Sequence, residues 1–211
     1  MDSSVIRSAP LKLAVATSNQ GKLLEFQRLA SGADLELYPI PQFGELPAFE
    51  ENAPTFAENS AGKALYYSAY TVESVMADDS GLVVPALGGA PGVHSARYAG
   101  PNASSESRIN TLLKEMRGLE APERTARFVC VLTLAHAGRA IAVFSASVEG
   151  AISDEPAGLK GFGYDPIFVP EGYSSTFAQM RGDEKDQLSH RARAFRKLID
   201  FLANDEFRHP D

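Results

Sequence analysis

The chain has 211 residues, 44% of them hydrophobic and 22% charged, values ordinary for a folded globular protein and incompatible with collagen-like repeats or long disordered tails. Its formal net charge is −7 and its basic residues are scattered, so a nucleic-acid backbone is repelled more than attracted, while a small anion carried with a metal is compatible. The one cysteine, Cys130, excludes an internal disulfide and sits in an apolar run where a buried strand residue is expected, and no apolar stretch approaches the ~18 residues of a membrane span.

Residues 1–10 carry no apolar core of the secretory kind, so the expectation is an N-terminal extension on a cytoplasmic protein, followed by one domain over 11–205 and a tail over 206–211. Residues 11–17 read as a buried strand that runs into the polar turn Ser18, Asn19, Gln20 and Gly21, after which Lys22 opens a helix with apolar Leu23, Leu24, Phe26 and Leu29. Residues 35–40 read as a second strand, and the acidic, proline-rich connection 41–54 has neither period. A helix is predicted over 55–71, a short strand over 75–77 ending in Asp78 and Asp79, an irregular glycine-rich stretch over 88–100, and a helix over 102–117 capped by Asn102 or Ser104. Two long strands, 125–135 and 140–148, are joined at Gly138 as a hairpin, and a second glycine-rich stretch, 158–165, leads into the apolar run 167–169. The last element is one helix over 181–204. Strands and helices mix without strict alternation, which predicts an α/β fold with a mixed sheet flanked by helices.

Three features could carry chemistry. The turn 18–22 lies after a strand and at a helix N-terminus, where free N–H groups, the helix dipole and Lys22 suit a phosphate; a plain helix cap with a solvated lysine fits the same residues. It is not a Walker A loop, and no dinucleotide fingerprint occurs. Asp78 and Asp79 are adjacent acids at a strand end, and Glu50 and Glu51 add carboxylates from another part of the chain. Such acids repel one another unless a cation or a water-exposed edge relieves them, which is a reason to look for Mg²⁺ held by one or two carboxylates together with substrate phosphates; a cap or a solvated acid fits each residue taken singly. Phe162 and Tyr164, set between glycines, can present an aromatic face to a base or plug a core. Lys63, Lys185, His190 and Arg191 read singly as surface charges, and His94, His136 and His209 as structural or exposed residues.

Taken in order, these segments resemble the inosine-triphosphate pyrophosphatase family: TSNQGK at 17–22, FAENSAGKA at 56–64, ADDSGL at 77–82, GGAPGVHSARY at 88–98, GFGYDPIF at 161–168 and SHR at 189–191. The resemblance implies an elongated mixed sheet dividing two lobes, an active-site cleft between them, and a homodimer. It implies removal of ITP, dITP and XTP by hydrolysis to the monophosphate and pyrophosphate, with Mg²⁺ as cofactor. Carried onto matching positions, Thr17 to Lys22 are the triphosphate loop, with Lys63 and Lys185 as further phosphate contacts. Asp79 is the catalytic carboxylate and a metal ligand, with Glu51 as second acid and Ser80 beside it. Phe162, Gly163, Tyr164, Asp165, His190 and Arg191 form the base pocket. Ser60 stands where the family commonly has alanine, and the choice of Glu51 over Glu50 is left open by the loop that carries them. Two rival readings remain at this level: a pyrophosphatase for other modified or pyrimidine triphosphates, and a nucleotide sensor that binds without hydrolysis.

Overall fold

Six strands form one mixed sheet in the order β2-β1-β3-β4-β5-β6. The computed structural model describes residues 10–203; His209 and the two expected terminal segments, apart from Pro10, lie outside the described residues. In chain order the elements are β1 (Leu11–Ala16), α1 (Gln20–Leu29), β2 (Leu35–Pro39), α2 (Phe56–Tyr67), β3 (Ser74–Val83), α3 (Ser105–Glu115), β4 (Thr125–His136), β5 (Arg139–Ile152), β6 (Phe168–Pro170), α4 (Gly182–Leu188) and α5 (His190–Leu202). β1 pairs in parallel with β2 and β3, whereas β3, β4, β5 and β6 pair antiparallel, so the expected mixed sheet is what forms.

The alternation of side chains along the strands sorts the core into parts. Leu13, Val15, Met76, Leu132 and Leu134 point to the face covered by α1 and α5, where they meet Phe26, Phe195 and Leu198. Ala14, Ala16, Val75, Ala77 and Ala135 point to the other face and meet Ala64 and Tyr67 of α2. Gly62 of α2 lets the preceding connection pack closely on the helix: a Cβ there would stand 2.5 Å from the Phe49 ring. Farther along the same strands a separate core gathers Leu82, Val84, Leu112, Phe128, Phe168 and Phe177. Each large side chain so buried contributes roughly 1.5–3 kcal/mol. β3 and β4 therefore run through two lobes. Between the lobes, where Asp79 faces Val131 and Ser80 faces Cys130, polar side chains replace the apolar ones and a cleft opens.

Two sequence expectations need correction. β3 does not stop before its acids but continues to Val83, because it pairs with β4 as far as Arg127, and the 3-10 turn Gly92–Arg97 bonds it near that end. Ser95 Oγ accepts from the Leu82 amide at 2.9 Å and donates to the Gly92 carbonyl at 2.6 Å. Gly81 makes this possible, since a Cβ there would lie 2.4 Å from Ser95 Oγ and 2.5 Å from the Gly92 carbonyl. The terminal helix is two helices, not one. Ser189 adopts φ −63° and ψ 154°, ends α4, and caps α5 by accepting from the Ala192 amide. Serine is a favoured N-cap and breaks the helix without disturbing its apolar period; the break turns His190 and Arg191 into the first turn of α5.

Smaller adjustments follow from pairing. β5 extends to Ile152 because β6 pairs with Gly150, Ala151 and Ile152, and the hairpin turn takes Ala137 as well as Gly138 into positive φ. Ser104, not Asn102, caps α3. Ser60 is fully buried, with its Oγ 2.9 Å from Thr133 Oγ1 and 3.2 Å from the Ala77 carbonyl, so it ties α2 to the sheet. Cys130 is buried on β4, as its apolar run predicts. Among the described residues no helix is long and apolar enough to cross a membrane.

Candidate active site

The cleft between the lobes has a volume of about 800 Å³, within the range usual for small-molecule sites. Its first wall is the turn after β1. Asn19 caps α1 by accepting from the Lys22 amide at 3.1 Å, and Thr17 Oγ1 accepts from the Asn19 amide at 3.1 Å. The turn is thereby fixed with Thr17, Ser18, Asn19, Gly21 and Lys22 on the cleft wall; Gln20 is outside it. Lys22 Nζ is 2.8 Å from Asp78 Oδ1.

Adjacent strand residues point to opposite faces, and this separates the two aspartates. Asp78 is buried with Lys22 on one side and Arg191 Nε 3.9 Å away. Burial alone would raise its pKa, but Lys22, Arg191 and Lys63 outweigh burial and bring it down to about 2. Asp78 is thus a fixed anion that holds two cations. Asp79 faces the cleft instead. Burial, assisted by the charges of Glu51 and Asp78 and opposed by Lys22 and Lys63, pushes its pKa up to about 6. Its Oδ2 is buried without a hydrogen-bond partner.

Lys63 projects from the buried side of α2 and pairs with the Glu51 carboxylate. Both line the cleft. Glu50 is exposed and accepts from the side chain of its neighbour Asn52 at 2.9 Å. Of the two glutamates, Glu51 is the one that lines the cleft. The connection that carries it is held by Tyr67, whose hydroxyl accepts from the Phe49 amide at 3.0 Å, and by Asn59, which bonds both the N–H and the carbonyl of Ala53 at 3.0 and 3.3 Å.

The opposite wall is the glycine-rich turn. Gly161 and Gly163 have φ of +74° and +63°, a region that suits glycine, and Asp165 closes the turn by accepting from the Phe162 amide at 2.8 Å. Phe162, Gly163, Tyr164 and Asp165 all line the cleft. The Tyr164 ring is buried and its hydroxyl donates to the Ser95 carbonyl at 3.0 Å, so Tyr164 braces the loop. The Phe162 ring lies against Gly21, where a Cβ would come within 2.8 Å, and over the Arg191 guanidinium at 4.8 Å and Lys185 Nζ at 5.4 Å.

Behind Phe162 is a network that sequence reasoning missed. Glu25 of α1 is buried and accepts from Lys185 Nζ at 2.7 Å and Arg191 Nη1 at 3.1 Å; Lys185 also donates to Asp165 at 2.6 Å. Burial would raise the pKa of Glu25, but Arg191 and Lys185 hold it below the ordinary value. An acid buried beside Phe26 in an amphipathic helix was the available signal, because such a charge needs a cation. Arg191 reaches the cleft and donates to Ser80 Oγ at 2.9 Å. Lys185 and His190 are one layer back and are not part of the cleft wall. His190 stacks on Phe128 at 4.7 Å and 9°, and burial, with the charges of Arg191, Lys185 and Lys22, keeps it neutral by lowering its pKa far below the usual value. Arg97 and Arg108, which no motif singles out, also line the cleft.

Among the described residues no group of three or more His, Cys, Asp or Glu makes a ready metal site. The arrangement does fit a metal that takes most of its ligands from elsewhere. Asp79 offers an unpartnered carboxylate oxygen, and Glu51 on the same cleft wall raises the cost of ionising it, a cost that a divalent cation would offset. Mg²⁺ is typically held by one or two carboxylates, substrate phosphates and water.

Comparison with known proteins agrees with this geometry. The model of the Ham1 family matches residues 13–201. A dITP/XTP pyrophosphatase of Shouchella clausii is 45% identical over 189 residues, covering 89% of this chain and 94% of that protein. A dITP/XTP pyrophosphatase of Bacillus subtilis is 40% identical over 188 residues, covering 89% of this chain and 95% of that protein. Among solved structures, a HAM1 protein from Coxiella burnetii superposes with a TM-score of 0.81 at 37% identity, covering 91% of this chain and 98% of that one. With the match spanning both walls of the cleft and both lobes, the chain belongs to the Ham1 family.

Proposed function

We propose that this protein is a Mg²⁺-dependent pyrophosphatase that hydrolyses ITP, dITP and XTP to the nucleoside monophosphate and pyrophosphate. The observation that carries the reading is the placement, in one cleft, of Asp79 with a free buried oxygen and a pKa of about 6 together with Glu51, Lys22 and Lys63. A carboxylate that faces the cleft with an unpartnered buried oxygen can orient the attacking water and accept its proton. Water then attacks the α-phosphorus, its proton passes to Asp79, and the bond from that phosphorus to the bridging oxygen breaks with pyrophosphate leaving. Lys22, Lys63 and the free N–H groups of the turn 18–22 hold the phosphate oxygens and stabilise their growing charge. Asp79 and Glu51 would hold the Mg²⁺, which supplies charge neutralisation at the phosphates when bound.

Base choice follows from the donors at the other wall. A 6-keto purine offers an acceptor where adenine offers an amino group, and the Arg191 guanidinium can only donate. Adenine would leave that donor unpaired at a cost of about 1–3 kcal/mol. Phe162 provides a ring against which the base can stack. His190 and Lys185 support the pocket from behind, through the Phe128 stack and the Glu25 network.

The deciding experiment is pyrophosphate release from ITP, dITP, XTP, GTP and ATP, with Mg²⁺ and with EDTA. Turnover of the first three, slow turnover of ATP and no turnover in EDTA are expected. Equal rates for all five would mean that the base edge is not read, and binding of ITP without hydrolysis would make the protein a sensor. The family resemblance further supports a homodimer in the cytoplasm, and sedimentation of the full chain as a monomer would remove the first of these.

A further inference from the structure

We propose that Arg97 is a positioning residue for this reaction: it holds the backbone at Glu51 so that the acid stays beside Asp79 when its partner Lys63 turns to a phosphate. The inference rests on the metal reading of Glu51 given above. Arg97 Nη2 donates to the Glu51 carbonyl at 2.8 Å, joining residues 46 positions apart. Arg97 ends the 3-10 turn Gly92–Arg97, and that turn is clamped on several sides. Ser95 bonds β3 through the Leu82 amide at 2.9 Å, the Tyr164 hydroxyl donates to the Ser95 carbonyl at 3.0 Å, and Arg108 Nη1 of α3 donates to the Ala96 carbonyl at 2.7 Å. The guanidinium therefore starts from a fixed point.

The connection it grips is far less regular. Residues 46–55 form neither helix nor strand, and their hydrogen bonds to α2 on either side of Glu51 fall at Pro47 and Phe49 before it and at Ala53 and the cap Thr55 after it. Glu51 lies between these anchors. Its carboxylate is held by Lys63, but that bond cannot serve twice. Once Lys63 faces a phosphate oxygen and Glu51 faces a cation, the ion pair no longer fixes the loop. The Arg97 bond acts on the carbonyl, not the carboxylate, so it survives that exchange. Nor does Arg97 figure among the leading charges on Asp79, which come from Lys22, Glu51, Lys63 and Asp78. It acts through the loop.

The test compares Arg97→Met, which keeps the apolar stem and removes the donors, with Arg97→Lys, which restores one donor. In the metal-free enzyme, amide exchange at residues 50–53 should become about tenfold faster in Arg97→Met, as expected for loss of a charged hydrogen bond to an otherwise loose segment. The Mg²⁺ concentration that half-saturates ITP hydrolysis should rise about tenfold, the usual effect of losing a group that orients a metal ligand. At saturating Mg²⁺ the kcat should return to within about twofold, and Arg97→Lys should recover part of both losses. Unchanged exchange together with an unchanged Mg²⁺ requirement overturns the proposal. So does a raised KM for ITP at an unaltered Mg²⁺ requirement, which would make Arg97 a direct phosphate contact. If Arg97→Met does not fold, Arg97→Gln, which keeps a shorter donor, is read by the same two measurements. A wild-type enzyme that needs no Mg²⁺ would refute the metal reading instead, and the exchange measurement on metal-free protein distinguishes that failure from this one.

Discussion

Replacing Asp79 by asparagine should remove activity and make the metal-free protein more stable. In the metal-free cleft the Asp79 carboxyl titrates at about 6, against an ordinary value of 3.8. The difference, roughly two units, corresponds to about 3 kcal/mol of charging cost at 1.36 kcal/mol per unit. The sign follows from the raised value: the folded state binds the proton more tightly than the unfolded chain, so the cost grows as pH rises from 3.8 and is complete above 6. Asp79→Asn should therefore stabilise the EDTA-treated protein by up to about 3 kcal/mol at pH 8, about 6–12 °C in Tm for a chain of this size. The advantage should shrink by about half at pH 5 and to about 0.5 kcal/mol at pH 4, where the folded carboxyl is neutral and the unfolded one, with an ordinary value of 3.8, is still partly ionised. Added Mg²⁺ should raise the Tm of the wild type but not of the variant. Thermal melts at the three pH values, with EDTA and with Mg²⁺, make the measurement, alongside pyrophosphate release from ITP. A variant no more stable than wild type in EDTA at pH 8 would refute the claim that Asp79 is a charge kept at a cost for function, and wild-type turnover by the variant would remove it from the reaction.

Three further outcomes follow from individual contacts. Glu51→Gln should raise the Mg²⁺ concentration needed for half-maximal hydrolysis, by about tenfold or more, while Glu50→Gln, whose side chain is exposed and bonded to Asn52, should leave it unchanged; a metal titration of activity separates them. Gly21→Ala would set a Cβ 2.8 Å from the Phe162 ring and should displace that ring, raising the KM for ITP about tenfold with little change in Tm; an unaltered KM would show that Phe162 does not shape the base site. Asp78→Asn leaves Lys22 and Arg191 without their buried anion and should cost about 3–5 kcal/mol at pH 7 by urea unfolding. Since the Asp78 pKa is lowered to about 2, its contribution is present above 3.8 and lost as pH falls toward 2, so the variant should show a flatter acid limb by about 2 kcal/mol.

Local sequence signals carried the elements that need only their own residues. The apolar run and cap residues around Asn19 announce β1 and α1, and Gly138 announces the hairpin. The signals fail where a distant segment decides. β3 passes through Asp78 and Asp79 because β4 pairs with it as far as Val83 and Ser95, thirteen residues beyond Leu82, bonds the Leu82 amide, and β5 runs to Ile152 because β4 and β6 pair with its far end. The break at Ser189 escaped notice because the apolar period of 181–204 continues across it, although serine is a good cap. At the site, motifs brought Lys22, Lys63, Asp79 and Arg191 to one cleft, but they could not distinguish a wall from a support. Lys185 and His190 hold the pocket from behind, and Glu25, outside every motif, is what fixes two of its cations. Which of two neighbouring glutamates faces Asp79 depends on a loop held by Tyr67, Asn59 and Arg97, and no local pattern records those contacts.

The pairing of charges also explains why the proposed reaction should depend on a divalent cation. Each lysine offered to phosphate already has an acid, Asp78 for Lys22 and Glu51 for Lys63, and Arg191 at the base wall has Glu25. A nucleoside triphosphate entering alone would meet these acids, with Asp79 among them, at nearly the strength of the cations. The pairs are unequal in their hold. The side chains of Asp78 and Glu25 are 1% and 9% exposed, whereas that of Glu51 is 30% exposed. Pulling Asp78 or Glu25 from its partner would leave a charge deep in the protein, a loss of several kcal/mol; separating Glu51 from Lys63 at the cleft surface costs far less. The Lys63–Glu51 pair is thus the one built to open. With a divalent cation bound, Glu51 and Asp79 would have a new partner and Lys63 would be free to turn to the phosphates, so metal and nucleotide should each bind more tightly in the presence of the other.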